Sequence, residues 1–190
     1  GDVAMVYSTL RKKYGIPKSN ITVCMSDGES SSLDMYIIGE NRKISSPLDL
    51  DGDNVSDVNY SATKTQIESA FASIANKLTS NDQLFVFVTD HGAIEDDGTC
   101  YLVPWLGSAP SSFSGTCISS TEFASYVRNI QAPICFAMEF CYSGGFMDEL
   151  KTQTDRVIAT ACGVEPSSAF VLSDATGENT KIFNAIDFCN

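Results

Sequence analysis

The sequence predicts an α/β protein built on a mainly parallel sheet, and three observations carry that reading. Leu84–Val88 and Ile134–Met138 are short, almost wholly apolar runs bounded by turn residues, as expected of strands covered on both faces. Each run ends abruptly in polar residues and glycine, at Thr89-Asp90-His91-Gly92 and at Glu139-Phe140-Cys141-Tyr142-Ser143-Gly144-Gly145. Stretches of helical periodicity precede both strands, which gives the strand–helix–strand order of a parallel sheet.

In chain order, residues 2–14 carry Val3, Met5, Val6 and Leu10 as a helical stripe that stops at Tyr14-Gly15-Ile16-Pro17. Ile21–Met25 follows as a short buried strand. Residues 26–48 are rich in Ser, Gly and Asp without periodicity and read as a long surface loop. Then comes Asp49-Leu50-Asp51-Gly52-Asp53-Asn54-Val55-Ser56-Asp57, close to the opening of an EF-hand calcium loop, within an acidic segment spanning 49–60. Asp49, Asp51 and Asp53 would supply carboxylates, Val55 its carbonyl and Asp57 a further oxygen, to a Ca²⁺ ion of structural role. Asn54 stands where such loops turn, and asparagine tolerates the left-handed conformation. Tyr60 occupies the position of the usual bidentate glutamate, and the alternative reading is a solvated acidic turn.

The strongest helix spans 61–78, with Ile67, Ala70, Phe71, Ile74 and Leu78 on one face and Ser61 or Thr63 as cap. Beyond the histidine strand, Glu95-Asp96-Asp97-Gly98 and Tyr101–Trp105 suggest a hairpin, with Trp105 a packing residue. Ser119-Ser120-Thr121-Glu122 has capping-box form and opens a helix bearing Phe123, Val127 and Ile130. After the cysteine strand come a helix near 146–151, a strand at 156–161, a short strand at 171–173 and a helix starting at Lys181.

The 190 residues suit one domain with a proper core. A formal charge of −12 excludes a nucleic-acid surface, and no apolar run reaches the length of a membrane span. Seven cysteines is an odd number, which leaves the compartment open, with a secreted or cell-envelope setting favoured. Cys24, Cys135 and Cys162 lie in apolar runs and read as reduced core residues. Cys100 and Cys117 flank a Pro/Ser/Gly-rich loop and are a candidate disulfide. One histidine and no cysteine pair at zinc spacing leave no zinc site. Catalysis would need no cofactor.

His91 is the sole histidine, and in a parallel sheet the ends of its strand and of the Cys141 strand share one edge. That juxtaposition suits a Cys141 nucleophile with His91 as general base and acid, because a thiol of pKa near 8.5 needs a proton acceptor. The backbone N–H groups of Cys141 and Gly92 are the candidate oxyanion hole, since a glycine approaches a carbonyl without a side-chain clash. Asp90, adjacent to His91, is expected to orient the loop.

The His-Gly and Glu-x-Cys-x-Ser-Gly motifs at 91–92 and 139–144 resemble those of the legumain family, a branch of the caspase-like cysteine peptidases. The separation of about 50 residues between histidine and cysteine is also the caspase spacing. Weaker similarities run through Tyr14–Pro17 with Ile21–Val23, Ser61–Thr63 and Arg156–Ala161, while the Gly144-Gly145-Phe146 ending points to a distant, microbial branch. The resemblance implies residues 1–190 as a single caspase-like peptidase domain, a three-layer α/β/α sandwich whose first strand is missing from this chain. It implies hydrolysis of peptide or protein substrates through a thioester acyl-enzyme, with Glu139 lining the pocket for the residue before the scissile bond or serving as an orienting carboxylate. The alternatives are a legumain-type transpeptidase or transamidase, and a non-catalytic calcium-dependent binding module.

Overall fold

A computed structural model describes residues 2–37, 40–152 and 155–166, with the backbone of 172–173 and 179–180. These fall into two compact units, Gly1–Lys77 with Pro104–Ser112 and Leu78–Val103 with Phe113–Asn190. The expected helix from Lys181 lies outside the described residues.

In the first unit, α1 (Asp2–Lys12) buries Tyr7 beside Val23, Leu50 and Val58, with Val3, Ala4, Ile21, Met25 and Leu48 packed around them. The helix closes with Gly15 at φ +67°, a left-handed position that suits glycine, followed by Pro17. Ile21–Met25 is extended but does not form the expected strand. Among the described residues it makes an isolated parallel bridge, Cys24 to Tyr60, supported by backbone bonds from Met25 N–H to Tyr60 O and from Tyr60 N–H to Val23 O (both 3.1 Å), and it joins none of the named sheets. Nor is 26–48 a featureless loop. It contains an antiparallel hairpin of β1 (Met35–Ile37) and β2 (Arg42–Ile44), with Met35 opposite Ile44. Strands of three residues are too short to show alternation in sequence. The predicted long helix is α2 (Lys64–Ala75), with Thr63 at the N-cap position but making no side-chain cap bond. The Trp105 N–H donates to Ala62 O at 2.8 Å, which ties that segment to the residues entering α2.

The second unit holds the parallel sheet, in the order β3 (Leu84–Thr89), β7 (Ile134–Glu139), β8 (Arg156–Thr160). Between β3 and β7 the chain forms an antiparallel sheet of β4 (His91–Ile94), β5 (Cys100–Val103) and β6 (Ile118–Ser119), which includes the expected hairpin. It then forms α3 (Ser120–Val127), which starts in a reciprocal capping box between Ser119 and Glu122. Between β7 and β8 lie a 3₁₀ turn, Ser143–Phe146, and α4 (Met147–Leu150). Two short strands, β9 (Leu172–Ser173) and β10 (Asn179–Thr180), pair with each other.

The core of this unit is aromatic. Phe123, Phe136, Phe140 and Phe146 are all essentially inaccessible and meet edge to face, with ring centres 6.3 Å apart for Phe123–Phe136 and 5.2 Å for Phe140–Phe146. On β7 the residues alternate: Ile134, Phe136 and Met138 are buried, whereas Cys135 is exposed and is no core residue. An apolar run shows that a strand is buried, but not on which face, and the period of two decides that only once pairing is known. The architecture is α/β on a parallel sheet, as in caspase-like folds.

Candidate active site

Strands β3 and β7 run parallel in strict register from Leu84 opposite Ile134 to Thr89 opposite Glu139. Both therefore end at the same level. His91 and Cys141 each stand two residues past the last pair, on neighbouring strand ends. His91 is exposed and Cys141 half-buried. Glu139, the final residue of β7, is half-buried opposite Thr89.

Gly92 shows how closely the two ends approach. A Cβ at this position would lie 1.7 Å from Cys141 O and 2.9 Å from Phe140 Cδ2, so only glycine fits. Asp90 turns its carboxylate back, and its Oδ1 accepts the His91 N–H at 2.7 Å, fixing the backbone just before the imidazole. The residue as a whole is exposed, yet desolvation by its neighbours raises the Asp90 pKa above the ordinary carboxylate value, against the opposing His91 hydrogen bond.

The cysteine loop is anchored at both ends by Phe140 and Phe146, whose rings meet edge to face in the core. Within it, Tyr142 adopts the left-handed conformation (φ 62°, ψ 17°), uncommon for a bulky side chain. Its N–H donates to Glu165 O at 2.9 Å, and the Gly144 N–H donates to Gly163 O at 3.1 Å. Buried Ser143 places Oγ 3.6 Å from Cys162 Sγ. The two glycines are needed for close packing and not for a positive φ. A Cβ on Gly144 would meet the Gly163 backbone at 2.6 Å, and one on Gly145 would meet Cys100 Sγ at 2.4 Å. The contribution of Gly163 and Glu165 escaped the sequence reading, because backbone carbonyls leave no side-chain signature. A glycine after the Thr160–Cys162 strand end was the one available hint.

The remaining cysteines separate by environment. Burial pushes the Cys24 thiol up to about 12, and burial first, then the nearby Cys162, raises that of Cys100. Neither competes as a nucleophile. The structure does not join Cys100 to Cys117 in the expected disulfide. Because Leu102 pairs with Ile118, Cys117 falls opposite Val103, displaced along the strand from Cys100.

In the first unit, oxygens of Asp49, Asp51 and Asp57 lie within 4.8 Å of one another. Asn54 takes φ +65°, as its place in the loop requires. Asp49 accepts the N–H groups of Gly52, Asp53 and Asn54, which lowers its pKa. The protein's own cations already serve this loop. Arg11 Nε binds Asp51 at 3.0 Å, and Lys18 Nζ reaches Asp57, Asp53 (3.3 Å) and the Val55 carbonyl (3.5 Å). Buried Asp57 also accepts Tyr7 Oη–H at 2.6 Å and Leu50 N–H at 2.7 Å.

Among the described residues no helix is long and apolar enough to cross a membrane. No individual curated protein matches the chain. The model of the Peptidase C13 family matches residues 1–181, nearly the whole sequence, including both strand ends described above. The chain thus belongs to the Peptidase C13 family, the legumain family of cysteine peptidases.

Proposed function

We propose that the chain is a cysteine endopeptidase in which Cys141 attacks the scissile carbonyl and His91 moves the proton. The supporting observation is the register of β3 with β7, which ends both strands at one level, together with the contact of Gly92 on Cys141. His91 takes the Sγ proton as the thiolate adds to the carbonyl carbon. The oxyanion is received by the N–H groups of Cys141 and Gly92. Collapse of the tetrahedral species breaks the C–N bond, and the imidazolium gives its proton to the leaving amine. A thioester remains on Sγ. Water, deprotonated by His91, hydrolyses it and restores the thiol. Glu139, at the same sheet edge, contributes to the pocket for the residue before the cleaved bond.

The acidic loop has a structural role apart from this chemistry. Asp49, Asp51 and Asp57, with Asp53 and the Val55 carbonyl, form an oxygen-rich set suited to Ca²⁺, which would have to displace Lys18 Nζ. The test of the dyad is turnover of a peptide substrate by Cys141→Ala and His91→Ala. Each should lose more than about 99% of kcat, given the size of nucleophile and base contributions. A variant keeping a tenth of parental turnover would rule out the role assigned to that residue.

A further inference from the structure

We propose that the turn Gly163–Glu165, just after β8, positions the nucleophile, with the Glu165 side chain fastening the turn; the inference rests on Cys141 as nucleophile. The peptide unit joining Cys141 to Tyr142 is held from both sides. Its carbonyl oxygen lies against Gly92, where an added Cβ would stand 1.7 Å away. Its N–H, that of Tyr142, donates to Glu165 O at 2.9 Å. Because a peptide unit is planar, these two contacts together fix ψ at Cys141 and φ at Tyr142. One plane therefore links the histidine strand to the 163–165 turn.

The conformation of Tyr142 shows that the link is under constraint. A bulky residue at φ 62° persists only where its surroundings hold it. The holding contacts come from the turn: the bond to Glu165 O, the second bond from Gly144 N–H to Gly163 O, and Gly163 lying flush on Gly144. The turn needs a fastening of its own, and Glu165 Oε1 provides it by accepting the Gly163 N–H at 3.0 Å. Glu165 is exposed and belongs to no core, so its carboxylate is dispensable for folding. It touches no reacting atom. It acts by keeping the Gly163 and Glu165 carbonyls aimed at the cysteine loop. The Tyr142 amide, committed to Glu165 O, is thereby withheld from the oxyanion.

The test is kcat and KM on a peptide substrate, with melting temperatures, for E165A, E165Q, G163A and C141A in the natural full-length protein. E165A should lower kcat roughly tenfold with KM within about twofold, as expected when an interaction orienting the reacting group is lost. E165Q keeps an acceptor oxygen and should hold kcat within about threefold of the parent, and both should melt within about 2 °C of it. In G163A the new Cβ would stand 2.7 Å from Glu165 Oε2, so it should reproduce the E165A loss. An E165A enzyme at parental kcat, an E165Q enzyme as impaired as E165A, or a kcat loss matched by a lower melting temperature would each overturn the positioning role. C141A should be inactive. If C141A is inactive while E165A is unimpaired, the turn alone is refuted. If C141A turns over substrate, the nucleophile assignment falls and this inference with it.

Discussion

Adding one methyl group at Gly92 should separate catalysis from folding. In Gly92→Ala the new Cβ would stand 1.7 Å from Cys141 O, 2.8 Å from Cys141 C and 2.9 Å from Phe140 Cδ2, where ordinary contacts begin at 3.4 Å. Two of the three obstacles are backbone atoms, and the third belongs to a ring that is 1% exposed and packed edge to face with Phe146. No side chain can swing aside. The histidine strand and the cysteine loop must therefore part by well over about 1 Å, and misplacement on that scale costs on the order of a hundredfold in rate. Overpacking of this kind costs about 1–3 kcal/mol of stability, well inside a typical margin of about 5–15 kcal/mol. The variant should fold, melt a few degrees lower and lose at least about 99% of kcat. The assay pairs steady-state kinetics on a peptide substrate with a thermal melt. A folded Gly92→Ala enzyme within about threefold of parental kcat would show that the Gly92–Cys141 contact does not set the dyad.

Asp57 should make the first unit sensitive to acid. Burial opposes its charge, but hydrogen bonds from Lys18, Tyr7 and Leu50 N–H prevail and lower its pKa. Its contribution is therefore complete above about pH 4, the unfolded value, and is lost as pH falls through the lower folded value. Asp57→Ala, leaving Tyr7 and Leu50 N–H without their acceptor, should cost about 3 kcal/mol at neutral pH and flatten the dependence of unfolding free energy on acid, which urea titrations between about pH 2 and about pH 7 would read. Tyr7, pushed up to about 12 by burial first and then by its bond to Asp57, contributes stability below about pH 10 that is lost as pH rises toward 12. Tyr7→Phe should remove that alkaline loss, read by urea titrations carried from about pH 8 to about pH 12. For the acidic loop, calcium should raise the melting temperature and leave kcat unchanged, and Lys18→Met, which removes the competing ammonium, should enlarge the shift. A melting curve unmoved by millimolar calcium or by a chelator in both proteins would reduce Asp49–Asp57 to a turn held by Lys18 and Arg11 alone.

What the sequence disclosed follows from where its information lies. The place of His91 and Cys141 just past two neighbouring strand ends was legible because an apolar run that stops at a polar residue and glycine marks a strand end, and two such ends on a parallel sheet share an edge. Asn54 could be placed because few residues other than glycine accept its φ. The exposure of Cys135 and the separation of Cys100 from Cys117 were hidden, since both depend on register, a relation between distant segments. The 35–44 hairpin was too short to carry a period. The Gly163–Glu165 turn was hidden for a different reason: its bonds to the cysteine loop are made by backbone carbonyls, which every sequence possesses.

The claim that Cys141 is the nucleophile is tested most directly by locating the covalent adduct of a mechanism-based peptidyl acyloxymethyl ketone. A simple alkylating reagent would not serve, because Cys135 is also exposed on the surface. The ketone must be bound as a substrate and activated by the dyad. Peptide mapping by mass spectrometry should find one adduct, on Cys141, absent in Cys141→Ala and formed at least about a hundredfold more slowly in His91→Ala. An adduct on Cys135 or Cys162, or labelling of Cys141 at an undiminished rate without His91, would contradict the assignment.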